Sequence, residues 1–157
     1  MERLSHFDDE GRPRMVDVSA KAETERMAAA RGGVTFSPEA YAVLRRDGVR
    51  KGDVLAIAEL AGVMGAKKTS DIIPLCHPLS LTSVAVSAAF DDAAHSIEIA
   101  ATVKTTGKTG VEMEALTAVA AACLTVYDMA KSIDKTMTIG PIELVEKSGG
   151  RSGDFRR

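Results

Sequence analysis

Two runs of alternating side chains, joined by the segment Asp91–Ser96, constrain this chain more than any other feature. Val84, Val86, Ala88 and Phe90 fall on one face of an extended segment. Ile97, Ile99, Ala101 and Val103 fall on one face of the next, with Glu98, Thr102 and Lys104 opposite. Between them, Asp91-Asp92-Ala93-Ala94-His95-Ser96 reads as a turn. The pattern predicts an antiparallel hairpin with one apolar face, and that face must be covered by something.

Helical periodicity on both sides supplies the cover. A long helix is predicted from about Val111 to Lys131, with Val111, Ala115, Val119, Cys123, Val126 and Ala130 as its buried stripe. Ser37-Pro38-Glu39-Ala40 reads as a helix start, with Ser at the N-cap and Pro in the first turn, and Gly48 ends that helix. Asp53 can cap another, whose Ile57, Leu60, Ala61 and Met64 keep the i, i+3, i+4, i+7 spacing of a core-facing stripe. Lys67 and Lys68 suit its C-terminal end. Met137, Ile139, Ile142, Leu144 and Val145 suggest a last strand broken at Gly140-Pro141, and a further strand is expected within 15–36. A hairpin flanked by helices favours an α+β layer, with helices on one face of an antiparallel sheet.

A length of 157 residues suits one domain with a real core. Aromatics make up only 4% and Trp is absent, so Ala, Val, Ile, Leu and Met must fill that core. The net charge of −2 and pI near 5.9 oppose a general binder of nucleic-acid backbones, while leaving room for a local basic pocket. Cys76 and Cys123 form no CxxC and define no disulfide framework. The opening residues have no apolar core of a secretory signal. The stretches 54–66 and 115–127 fall short of the ~20 residues of a membrane span. A soluble, reduced, cytoplasmic protein is expected, with flexible ends at about 1–14 and 148–157.

Several motifs carry chemistry. Gly107-Lys108-Thr109 suggests a phosphate loop, but the full pattern needs Gly where Thr102 stands. What remains is a Gly-rich turn feeding the long helix, whose N-terminus can hold an anion. Glu112 and Glu114 complement that helix dipole and could equally accept hydrogen bonds from a purine or pterin ring. Asp128 and Lys131, spaced i, i+3, read alone as a surface ion pair worth at most ~1 kcal/mol. The sharper reading is an aspartate that orients a lysine for proton transfer. In Pro74-Leu75-Cys76-His77-Pro78 two prolines stiffen the backbone around a Cys-His pair, which suits presentation of a titratable imidazole. A closed zinc site lacks ligand spacing. Lys21, Arg26, Lys51 and Lys147, taken singly, read as solvated charges.

In combination these segments are no longer independent. Met15-Val16-Asp17-Val18-Ser19, the run from Lys67 to Leu79 with its Leu-Cys-His-Pro-Leu, Thr109-Gly110-Val111-Glu112-Met113-Glu114-Ala115-Leu116-Thr117-Ala118, Tyr127-Asp128-Met129-Ala130-Lys131 and Val145-Glu146-Lys147-Ser148-Gly149-Gly150 occur in order. The chain, over nearly its whole length, resembles the cyclic pyranopterin monophosphate synthase family, protein C of molybdenum cofactor biosynthesis. The resemblance implies a single domain over 1–157 with a ferredoxin-like α+β fold. It also implies a homohexamer built as a trimer of dimers, with each active site at a subunit interface. The implied reaction is that of a lyase. A cyclised dihydro-GTP becomes cyclic pyranopterin monophosphate, and pyrophosphate leaves. No redox cofactor or resident metal is implied, Mg2+ being a companion the triphosphate could bring; nor is a nucleic-acid or membrane partner.

Site residues follow from the same resemblance. Lys51 and Lys131 match the family's catalytic lysines, a general acid/base pair that needs a lowered pKa to work near neutrality. Asp128 matches its catalytic aspartate and would position Lys131. Leu75, Cys76 and His77, with Met113 and Glu114, match substrate-binding segments, and Glu112 would join Glu114 on the ring's amide and amino edge. Arg26, Lys21 and Lys147 are expected as triphosphate ligands, which would make the basic tail a lid. Ala130, where Cys is expected, and Gly65, where Ala is usual, depart from the pattern without touching a catalytic position. The alternative reading is a non-catalytic nucleotide-binding or structural oligomer module on the same fold. Its RNA-binding form is opposed by the single apolar-face aromatic, Phe90, on the two strands.

Overall fold

A computed structural model describes residues 4–47 and 53–157. The expected hairpin is formed by β2 (Leu81–Asp91) and β3 (Ser96–Gly107), and the strand expected within 15–36 is β1 (Thr24–Thr35). β1 lies against β3, antiparallel to it. The register explains how so few aromatics build a core. Val84, Val103 and Ala28 share one cross-strand row; Val86, Ala101 and Ala30 the next; Ala88, Ile99 and Gly32 the third; Phe90, Ile97 and Val34 the last. The first three rows mix larger side chains with Ala or Gly on the inward face and the last is filled by Phe90, Ile97 and Val34, while Glu98, Ala100 and Lys104 stay exposed on the other.

The interrupted last strand is two: β4 (Thr138–Ile139), paired to β1, and β5 (Glu143–Ser148), with a cis Gly140-Pro141 bond between them. The chain then returns as β6 (Phe155–Arg156) against β5. Arg31 and Arg157 both pair with Glu143, at 2.6 and 3.3 Å, which ties β1 and the chain's final residue to β5. The sheet order is β2-β3-β1-β5-β6. With α1 (Pro38–Asp47), α2 (Val54–Lys67), α3 (Thr69–Ile72) and α4 (Glu112–Ala130), the sequence β1-α2-β2-β3-α4-β5 on an antiparallel sheet is a ferredoxin-like α+β fold.

Capping follows the sequence. Ser37 Oγ accepts the Ala40 N–H at 3.2 Å, and Asp53 accepts those of Leu55 and Ala56, each at 3.1 Å. Gly48 lies outside the described residues. All six stripe residues of α4, from Val111 to Ala130, are buried. By length and composition α4 could cross a membrane, but 44% of its apolar window is buried inside the fold, as befits a core helix.

One expectation is overturned. The stripe assigned to the core side of α2 faces outward: Ile57, Leu60 and Met64 are 43, 61 and 59% exposed. Val54, Ala58, Gly62, Gly65 and Ala66 are buried instead. Both sets have helical spacing, so periodicity could not choose between them. Space does choose. A Cβ on Gly65 would lie 2.6 Å from Ala121 Cβ, and one on Gly62 would lie 3.1 Å from the Ala118 carbonyl oxygen. α2 and α4 approach backbone to backbone, and only the small face fits.

Candidate active site

The N-terminus of α4 and the Pro-bounded loop meet. Val111 opens the helix with no side-chain cap, so its free N–H groups and dipole are left to the acidic first turn. The loop after α3 is held by two bonds. The Cys76 N–H reaches the Ile73 carbonyl at 3.2 Å. His77 Nε2 lies 2.7 Å from the Val16 carbonyl oxygen and must donate to it, which fixes the proton on that nitrogen. The Lys108 ammonium donates to the Ser19 carbonyl at 2.9 Å, anchoring the same N-terminal segment from the other side. Between loop and helix lies a pocket of about 130 Å3, bounded by Leu75, Cys76, His77, Glu112, Met113 and Glu114. Those are the six residues expected to hold a substrate ring.

The pocket's electrostatics are set by burial. Glu114 is only 4% exposed; desolvation, reinforced by the neighbouring Glu112 carboxylate, raises its pKa. Burial first and the Glu114 charge second push the Cys76 thiol upward, which keeps it protonated and unsuited to nucleophilic work. His6, Leu79 and Thr109 also border the pocket. Nothing in the sequence marked His6, because the opening segment has no periodicity.

A second cleft, of about 500 Å3, is bordered by Lys21, Arg26, Arg151 and Ser152. Lys147 joins the two. Its ammonium lies 3.6 Å from Glu112 Oε1 and also donates to Ser152 Oγ. A carboxylate pocket thus adjoins a cationic cleft, an arrangement matched to a molecule with a donor-rich ring at one end and phosphates at the other.

Asp128 and Lys131 are elsewhere. Lys131 Nζ donates to Asp128 Oδ1 at 2.6 Å on the exposed end of α4. Asp128 lies sixteen residues beyond Glu112, about 24 Å at 1.5 Å per residue. Within one chain the pair does not meet the pocket. The hydrogen bond from Lys131 to Asp128, and then the aspartate's charge, raise the lysine pKa. That direction is opposite to the lowering a resting general base requires, and it keeps Lys131 protonated in this arrangement. Lys51 lies outside the described residues. Among the described residues, no group of three or more His, Cys, Asp or Glu side chains is placed to hold a metal ion.

The family model described as "MoaC family" matches residues 15–150. A cyclic pyranopterin monophosphate synthase of Roseiflexus sp. (strain RS-1) is 60% identical, covering 99% of this chain and 98% of the relative. One from Desulfitobacterium hafniense is 58% identical over 98% of this chain and 94% of its own length. Another, from Parvibaculum lavamentivorans, is 54% identical over 98% and 96%. With matches this extensive and the Leu75–His77 and Glu112–Glu114 segments facing one pocket, the chain belongs to the MoaC family.

Proposed function

We propose that this chain carries the cyclic pyranopterin monophosphate synthase activity for which its relatives are named, in molybdenum cofactor biosynthesis. It takes a cyclised dihydro-GTP, whose ribose carbon is already bonded to purine C8, and forms cyclic pyranopterin monophosphate and pyrophosphate. The observation that carries this reading is the pocket itself. Two segments more than thirty residues apart, 75–77 and 112–114, close around one space beside a cationic cleft. Glu112 and Glu114 accept hydrogen bonds from the amide and amino edge of the ring, and Leu75, Cys76, His77 and Met113 enclose it. Arg26, Lys21 and Lys147 hold the triphosphate and stabilise the departing pyrophosphate. The tail from 148 covers the cleft.

Ring opening and rebuilding need protons delivered to defined atoms. Lys131, kept protonated by Asp128, serves as the acid, and Lys51 completes the acid/base pair. The Asp128–Lys131 pair reaches the pocket from a neighbouring copy, in a homohexamer arranged as a trimer of dimers. Three observations support this. The pocket of one chain, at about 130 Å3, is smaller than the ~300–1,000 Å3 of ordinary ligand sites. The Asp128–Lys131 pair is about 24 Å along α4 from Glu112. Ile57, Leu60 and Met64 leave an apolar face on α2 open to a partner. The whole chain acts as one such domain, and the cytoplasm is its place of action.

Incubation of the full chain with the cyclised dihydro-GTP tests the activity, with the pterin product and pyrophosphate detected separately. Product from wild type and none from Lys131→Ala or Lys51→Ala is the expected result. Near-normal turnover in either variant would overturn the lysine roles, and absence of product from wild type would overturn the activity. Mixing the two inactive variants restores part of the activity if the lysines come from different chains.

A further inference from the structure

The turn between β5 and β6 begins with two glycines of positive φ, Gly149 at +89° and Gly150 at +85°. It lies directly on β1. A Cβ at Gly149 would fall 2.2 Å from the Glu25 carbonyl oxygen. One at Gly150 would fall 1.9 Å from Arg26 Nη1 and 2.7 Å from its Cζ. The two glycines are therefore needed for different reasons. A side chain at Gly149 would displace the backbone of β1, whereas one at Gly150 would displace a guanidinium at the end of a flexible stem.

That guanidinium is unusual. Arg26 Nε is buried, with no hydrogen-bond partner among the described residues. An unpaired buried donor is rare in a folded protein and calls for an explanation. The same side chain borders the cleft that Lys21, Arg151 and Ser152 share. We infer that Gly150 is a positioning residue: having no side chain, it lets the turn pack flat on the Arg26 guanidinium and hold it toward a phosphate in the cleft. The inference rests on the reading of Arg26 as a phosphate ligand. Gly150 touches no reacting atom and acts only through Arg26.

The test uses the full chain, inorganic pyrophosphate as the probe in titration calorimetry, and steady-state kinetics with the cyclised dihydro-GTP. Gly150→Ala is expected to weaken pyrophosphate binding roughly tenfold, the worth of one charge-assisted hydrogen bond, and to raise KM. kcat should fall as well, since Arg26 also stabilises the departing pyrophosphate. Gly11→Ala is the control, because Gly11, outside the tail, has φ +77° with open space around its Cβ position, so it carries backbone strain without the clash. It should bind as wild type does. In an Arg26→Ala background, Gly150→Ala should add nothing. Wild-type binding by Gly150→Ala, an equal loss in Gly11→Ala, or additive losses in the double variant would each overturn the inference. If Arg26→Ala itself binds pyrophosphate normally, the phosphate-ligand reading fails and takes the inference with it. If Arg26→Ala weakens binding and Gly150→Ala does not, only the inference fails. Should Gly150→Ala not fold, the double variant decides: recovery of folding supports the clash with Arg26, and continued misfolding overturns it.

Discussion

Gly65→Ala separates helix propensity from helix packing. Propensity alone predicts that the change stabilises α2, since alanine is favoured over glycine in a helix interior by ~1 kcal/mol. Packing predicts the reverse. The new Cβ would lie 2.6 Å from Ala121 Cβ and 3.1 Å from the Thr117 carbonyl oxygen. Carbon atoms prefer a separation of at least about 3.5 Å, so the first contact is short by about 0.9 Å. Neither opposing atom is the tip of a flexible side chain, so the helices themselves must separate. Overpacking costs about 1–3 kcal/mol, and contacts anchored in backbone belong at the upper end. Subtracting the propensity gain leaves a net loss of about 2 kcal/mol, or a fall in Tm of roughly 4–8 °C for a chain of this length. Thermal melts at one fixed protein concentration measure it, because a chain that assembles has a concentration-dependent Tm. Adding Ala121→Gly should restore the space and recover part of the loss. An unchanged or higher Tm in Gly65→Ala would refute the packing reasoning.

Three further outcomes are expected. Asp128→Asn keeps the shape of the side chain and removes the charge that raises the Lys131 pKa, so kcat should drop at least tenfold with KM little changed; equal loss in both would argue for a substrate ligand instead. Glu114→Gln should cost activity while raising Tm at neutral pH. Because burial raises the native pKa of Glu114, the folded state binds its proton more tightly than the unfolded chain, and stability falls as pH rises through the native value. The Tm advantage of the variant should therefore shrink as pH is lowered toward 4.5, and an advantage constant from pH 8 to pH 5 would refute the assignment. Asp53→Ala removes the acceptor for the Leu55 and Ala56 N–H groups, and should lower stability by about 1 kcal/mol in a denaturant melt without changing product yield.

Periodicity and capping chemistry are local properties, and the sequence determined what depends on them. It placed the inward faces of β2 and β3, the six-residue stripe of α4, the Asp53 cap and the break at Gly140-Pro141. The segments around Leu75–His77 and Glu112–Glu114, singled out in the sequence by their resemblance to a family, border one pocket. Tertiary structure alone decided which helical face of α2 is inside, since two sets of residues share the spacing and only the approach of α4 tells them apart. It alone brought His6 to the pocket and closed Gly150 over Arg26. These are contacts between residues distant in sequence, fixed by how the sheet and helices fill space, and no local pattern encodes them.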